Sequence, residues 1–134
     1  MTITKSGFYH GWKPSPRYQK LFDTYNKKYF DGVLPATKVG TAPLLKITYL
    51  SQKSLSKPEK IDGGEYGLAG IDENDGMPFI VLDKGICVFH SILAKTTLFH
   101  EMVHHFIGLE KGHGKIFKSQ IRRLADLGAF DNLI

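Results

Sequence analysis

The chain has 134 residues, of which 42% are hydrophobic and 23% charged, and a net charge of +5. That size and balance support one ordinary domain with a single core, and they exclude extended disorder and collagen-like or coiled-coil architectures. One cysteine, Cys87, rules out an internal disulfide and any cysteine-only zinc ribbon in this sequence.

Residues 1–15, with Gly7, Gly11 and Pro14, read as an irregular arm without the apolar stretch of a signal peptide. Over residues 17–30 the pattern turns helical. Tyr18, Leu21, Phe22, Tyr25 and Tyr29 form one apolar stripe, with Ser15 as N-cap and Pro16 in the first turn. Asp31-Gly32 and Leu34-Pro35 end that helix. Residues 44–50 predict a strand, and residues 51–64 a long lysine-bearing loop. Residues 66–71 and 79–82 predict two strands of an antiparallel hairpin, joined by the turn Asp72-Glu73-Asn74-Asp75-Gly76. A long helix is expected over 89–109. A last one is expected over 115–127, burying Ile116, Phe117, Ile121, Leu124 and Leu127 and stopped by Gly128. Helix, strands, helix, helix defines an α+β domain with helices packed on a small antiparallel or mixed sheet.

The informative segment is His100-Glu101-Met102-Val103-His104, an H-E-x-x-H pattern inside the long predicted helix. Residues four apart on a helix lie about 40° apart in azimuth, one turn along the axis. Two imidazoles on that face reach one ion at about 2.0–2.1 Å each. Glu101, about 100° round from His100, stands beside the ion rather than on it. A carboxylate there takes the proton of a water polarised by the ion as that water attacks a carbonyl. Leu98, Phe99, Val103, Phe106 and Ile107 make the helix largely buried, and polar groups in such a setting need partners.

A catalytic zinc site takes three protein ligands and keeps one position open. His105, Glu110 and His113 are the candidates for the third. His105 sits about 100° round from His104 and points away. Glu110 occupies the spacing that a third histidine takes in metzincins, but it is not a histidine and no methionine follows it to form that family's Met-turn. His113, in Gly112-His113-Gly114, lies where two glycines let the backbone turn sharply back toward the ion, and it is the favoured third ligand. Imidazole ligands suit a single zinc ion best.

These residues, with Phe117, resemble the SprT-like zinc metalloprotease domain, in which H-E-x-x-H is followed by a short insertion and then H-G-x-x-F. Tyr25-Asn26 and residues 29–35 are similar to that family's first helix and the turn after it. Tyr66-Gly67-Leu68-Ala69-Gly70 is similar to its small-residue strand. The resemblance spans about residues 17–127. It implies a zincin-like single domain over 1–134, zinc on His100, His104 and His113, and Glu101 as catalytic base. It implies a peptidase acting on a protein or peptide substrate, in some members on proteins attached to DNA. The cysteine zinc ribbon of several members has no counterpart here.

Charge is unevenly spread: residues 1–60 carry 11 Lys/Arg against 3 Asp/Glu, whereas residues 61–83 carry 6 acids and no base. The alternative reading is therefore a non-catalytic, metal-stabilised module that holds nucleic acid or an acidic protein through its basic surface. Lys115, Lys118, Arg122 and Arg123 give the last helix a basic face that is either a phosphate contact or a solvated surface. Trp12 and Phe8 are expected to lock the arm onto the domain, with base stacking as the alternative use. His10 has no visible partner. His90 is expected to be structural or exposed, and Cys87 to be a small buried residue. The strand at 66–71 is a candidate edge beside the cleft, able to pair with an extended peptide. The loop at 51–64 suggests self-cleavage or regulation as a further use. No stretch of 18 apolar residues occurs, so no membrane partner is expected, and the composition fits a cytoplasmic protein.

Overall fold

The computed structural model describes residues 2–3, 12–44, 66–131 and 133. The expected strand over 44–50 (apart from Leu44), the 51–64 loop and most of the N-terminal arm, with Phe8 and His10, lie outside the described residues. The architecture is α+β, as the pattern of elements predicts. It contains β1 (Thr2–Ile3), β2 (Lys13–Pro14), α1 (Pro16–Tyr29), β3 (Lys38–Ala42), β4 (Gly67–Asp72), β5 (Pro78–Asp83), α2 (Lys84–Phe89), α3 (Ser91–Ile107) and α4 (Lys115–Asp126). A short 3-10 turn, Leu109–Lys111, lies between α3 and α4.

The strands form one mixed sheet in the order β1-β4-β5-β3-β2. The predicted hairpin is β4 and β5, antiparallel, with Gly67 opposite Leu82 and Gly70 opposite Phe79. On its other side β5 pairs in parallel with β3. Strand β5 is therefore interior to the sheet, and Phe79, Ile80, Val81 and Leu82 are all fully buried. A strand covered on both faces reads as a continuous apolar run rather than an alternation. Ile80 and Leu82 face the helices, while Phe79 and Val81 meet Ala42, Trp12 and Leu44 on the far side.

Helix α1 starts where the sequence places it: the Tyr18 N–H donates to Ser15 Oγ at 3.3 Å, and Pro16 opens the first turn. It ends at Asp31 and Gly32, both at positive φ (53° and 71°). Asn26 then clamps the returning chain: its amide donates to the Leu34 carbonyl and accepts from the Leu34 N–H, both at 3.1 Å. Gln19 does the same for β3, with its Nε2 donating to the Thr37 carbonyl and its Oε1 accepting from the Val39 N–H.

Several expectations change: β1 and β2 are strands within the arm expected to be irregular, because they pair with β4 and β3, and β3 is a strand that the sequence pattern does not predict. The single helix over 89–109 is two helices. Asp83, directly after β5, accepts from the Ile86 N–H at 3.1 Å and so starts α2 five residues earlier. His90 (φ −140°, ψ 68°) breaks the run before α3. In α4, Phe117 and Leu124 are buried and Ile121 is partly so, but Ile116 and Leu127 are exposed. Positions 117, 121 and 124 share one helical stripe; 116 and 127 both lie about 80–100° to one side of it.

Asp83 also ties the strands together. Its Oδ1 accepts from the Leu44 N–H at 2.9 Å and its own N–H donates to the Tyr66 carbonyl at 2.8 Å. The start of β4 is thereby held beside α3. A Cβ on Gly67 would lie 2.7 Å from Thr97 Cγ2 and 3.2 Å from the Val81 carbonyl oxygen, so this glycine permits the close approach of strand and helix. Gly67→Ala is expected to lower stability by about 1–3 kcal/mol through overpacking. Urea denaturation checks this, and an unchanged midpoint would contradict the tight contact.

Candidate metal centre

Helix α3 presents a different environment on each side. Leu98 and Met102 are fully buried in the main core, and Phe99 packs into an aromatic group. Its ring lies 4.2 Å from Tyr25 in a stacked pair, with Tyr29 and Phe130 edge-on at 5.6 and 5.3 Å. One residue on, about 100° round, His100 opens onto a cleft, and His104 follows one turn later.

The helix ends at Gly108 (φ 109°), and after the 3-10 turn Gly112 (φ 64°) reverses the chain. Both backbone conformations are left-handed, where side chains are disfavoured. Gly114 is extended (φ −77°), so the return of His113 rests on Gly112 and Gly108 rather than on the two glycines flanking the histidine. The result is a triangle of ring nitrogens. Nε2 of His100 lies 3.0 Å from Nε2 of His113 and 3.2 Å from that of His104, and the His104–His113 separation is 3.1 Å.

Hydrogen bonding cannot satisfy that triangle. In a neutral imidazole each ring nitrogen either carries a proton and donates or lacks one and accepts. Of three mutually close atoms, two must play the same role. At least one contact then opposes two donors or two lone pairs. A single cation at the centre removes the conflict, because all three nitrogens present lone pairs to it. Tetrahedral ligands at 2.0–2.1 Å from zinc stand about 3.3–3.4 Å apart. The observed separations are within a few tenths of an ångström of that spacing, so the residues fit the ion. Among the described residues this is the group of histidines, cysteines and carboxylates able to hold a metal.

The cleft has a volume of about 530 Å³. Tyr66, Gly67, Leu68 and Ala69 border it along the start of β4, facing Leu93, Thr96 and Thr97 of α3. Glu101 borders the same cleft and is only 6% exposed. The three histidines and the carboxylate that the sequence singles out are therefore brought to one place.

The other candidates are not. Glu110 is exposed and outside the histidine group. His105 points away, as expected, but toward the sheet rather than to the surface. Its Nε2 donates to the Phe79 carbonyl at 2.8 Å, and burial lowers its pKa. Residues 98, 102 and 105 share a helical stripe, a signal that places His105 on the sheet side. Likewise 93, 96, 97, 100 and 104 share the stripe that lines the cleft. His90 lies at the break between α2 and α3. Cys87 is half-buried; burial first, and then the Asp83 carboxylate, pushes its thiol up to about 12, which leaves it an unreactive thiol. Arg123 leaves the basic face of α4: it donates to the Tyr29 carbonyl at 2.7 Å and lies over the Phe30 and Phe106 rings. Lys115, Lys118 and Arg122 remain exposed.

No protein-family model matches the chain, and no curated protein matches it significantly. Among the described residues no helix is long and apolar enough to cross a membrane.

Burial, reinforced by His113 and His105, lowers the His104 pKa from 6.5 to about 4. The imidazole is therefore neutral at pH 7, the state a metal ligand requires. Between those two values the unfolded chain binds a proton that the folded site refuses, so stability falls as pH decreases through this window. Denaturation of the metal-free protein from pH 7 to pH 4 is expected to show this loss, and His104→Gln to flatten it. Parallel pH profiles for wild type and variant would contradict the assignment.

Proposed function

We propose that this chain is a zinc-dependent peptidase, with one ion on His100, His104 and His113 and with Glu101 as general base. The observation that carries this reading is the frustrated triangle of three ring nitrogens sharing one cleft with a buried carboxylate. Three protein ligands leave a fourth position free, the ligand count of catalytic rather than closed structural zinc. Bound there, zinc supplies Lewis-acid polarisation of water and of a carbonyl. Glu101 accepts the proton of the attacking water and returns it to the departing amine.

The cleft wall fits a peptide. Among the described residues β1 pairs only with Ile71 and Asp72 of β4, and the preceding stretch of β4 borders the cleft. An extended substrate added along that stretch would run past the histidines with its backbone hydrogen-bonded. The resemblance of His100–His104, Gly112-His113-Gly114 and Phe117 to SprT-like metalloproteases supports the same chemistry. On that resemblance the substrates include proteins associated with nucleic acid.

Glu101→Gln is expected to retain zinc while lowering peptide hydrolysis by at least about 100-fold, the usual scale for a lost general base. Metal content and cleavage of unfolded protein substrates measure the two effects. Equal cleavage by wild type and variant, with contaminating peptidases excluded, would refute the assignment.

A second reading is favoured by the exposed Lys115, Lys118 and Arg122 on α4, in the helix that follows His113. The metal is then structural and the basic face holds nucleic acid or an acidic protein. Salt-dependent DNA affinity unchanged by Glu101→Gln, together with no cleavage of any protein, would select it.

A further inference from the structure

We propose that Phe117 is the positioning residue of the metal centre, a single aromatic floor against which all three ligand rings are set. The inference rests on the reading of His100, His104 and His113 as metal ligands. The Phe117 ring centroid lies 4.7 Å from that of His100, 4.9 Å from that of His104 and 4.8 Å from that of His113. It therefore sits nearly equidistant from the three imidazoles, behind the triangle of nitrogens. Phe117 itself is 6% exposed and belongs to the main core, so the floor is anchored to the body of the domain.

Metal-bound histidines ordinarily owe their orientation to a carboxylate, carbonyl or water on the second ring nitrogen. Among the described residues, His104 and His113 hydrogen-bond only to one another and to His100. The contact that all three rings share is Phe117. His113 needs it most, because it arrives on a short turn with positive φ at Gly112, whereas His100 and His104 are carried by α3. His113 lies two residues before α4 and Phe117 is that helix's third residue, so the chain that delivers the third ligand runs directly into the helix that supplies the floor.

The ring also responds to the ion. The interplanar angles are 59°, 36° and 72°, so none of the imidazoles lies parallel to the Phe117 ring. The face of a benzene ring is electron-rich and attracts positive edges. Imidazoles that share a dication carry more positive charge than neutral ones, and all three lie within about 6 Å of the Phe117 centroid, so the contact strengthens on metal binding. Phe117 thus favours the loaded over the empty site, in addition to its part in the core. A floor present before the ion arrives also spares the rings an ordering cost on binding.

The experiment compares Phe117→Leu with Leu124→Ala, a fully buried position two turns further along the same helix. Zinc affinity is measured by competition with a chromophoric chelator, and ligand geometry by the visible spectrum of the cobalt-substituted protein. Both are done at a temperature where circular dichroism shows each metal-free variant folded. Phe117→Leu is expected to raise the zinc Kd about 10- to 100-fold, the scale for losing an orienting partner, and to broaden or shift the cobalt bands. Leu124→Ala is expected to lower the melting temperature while leaving Kd within about threefold and the spectrum unchanged. Phe117→Tyr, which keeps the ring, is expected to restore most of the affinity. Equal Kd for wild type and Phe117→Leu, or equal losses in Phe117→Leu and Leu124→Ala, would overturn the proposal. Absence of zinc binding by the wild type would instead overturn the metal reading on which it stands. If Phe117→Leu does not fold, Phe117→Met carries the same comparison.

Discussion

Helix α3 has no freedom to roll. On one side Phe99 is wedged among Tyr25, Tyr29 and Phe130, and on the sheet side Leu98 and Met102 fill the core while His105 donates to the Phe79 carbonyl. Successive residues of a helix are separated by about 100°, so fixing those directions fixes all the others. The cleft-facing direction of His100 and His104 is thus a consequence of packing elsewhere on the same helix. A site held in this way is stiff before any ligand arrives, which is what metal coordination within a few tenths of an ångström demands.

The third histidine is positioned by a different device. Gly108 and Gly112 adopt backbone conformations closed to most residues, and the chain between them is a single 3-10 turn. The turn brings His113 back over α3 and starts α4, whose buried stripe carries Phe117 under the rings. Glycine, lacking a Cβ, takes up these conformations at no steric cost. The connection that delivers His113 is thus also the one that lays α4 against α3.

Much of this was readable in the order of residues. The Ser15 cap, the α1 stripe and the Asp72–Gly76 turn rest on interactions within a few positions, and the apolar β5 run announces itself by composition; all occur where expected. Strand β3 was not readable: Lys38-Val39-Gly40-Thr41-Ala42 has little strand propensity, and its pairing with β5 supplies what its composition lacks. The early start of α2 follows from Asp83, whose carboxylate caps it while its backbone and other oxygen hold Tyr66 and Leu44. Arg123 looked like part of a charged face, yet the carbonyl of Tyr29, 94 positions away in sequence, draws it inward.

The sequence by itself determined the pairing of His100 with His104 and the offset of Glu101, because helical periodicity is a local property that four residues suffice to express. It also marked His113, through the glycine that lets the chain reverse beside it. Only the tertiary structure decided that the three rings meet at 3.0–3.2 Å, that Phe117 lies beneath them, and that Gly67 lets β4 close against Thr97 to form the cleft wall. Those relations join segments far apart along the chain, and their distances are set by how the core packs, which no local pattern encodes.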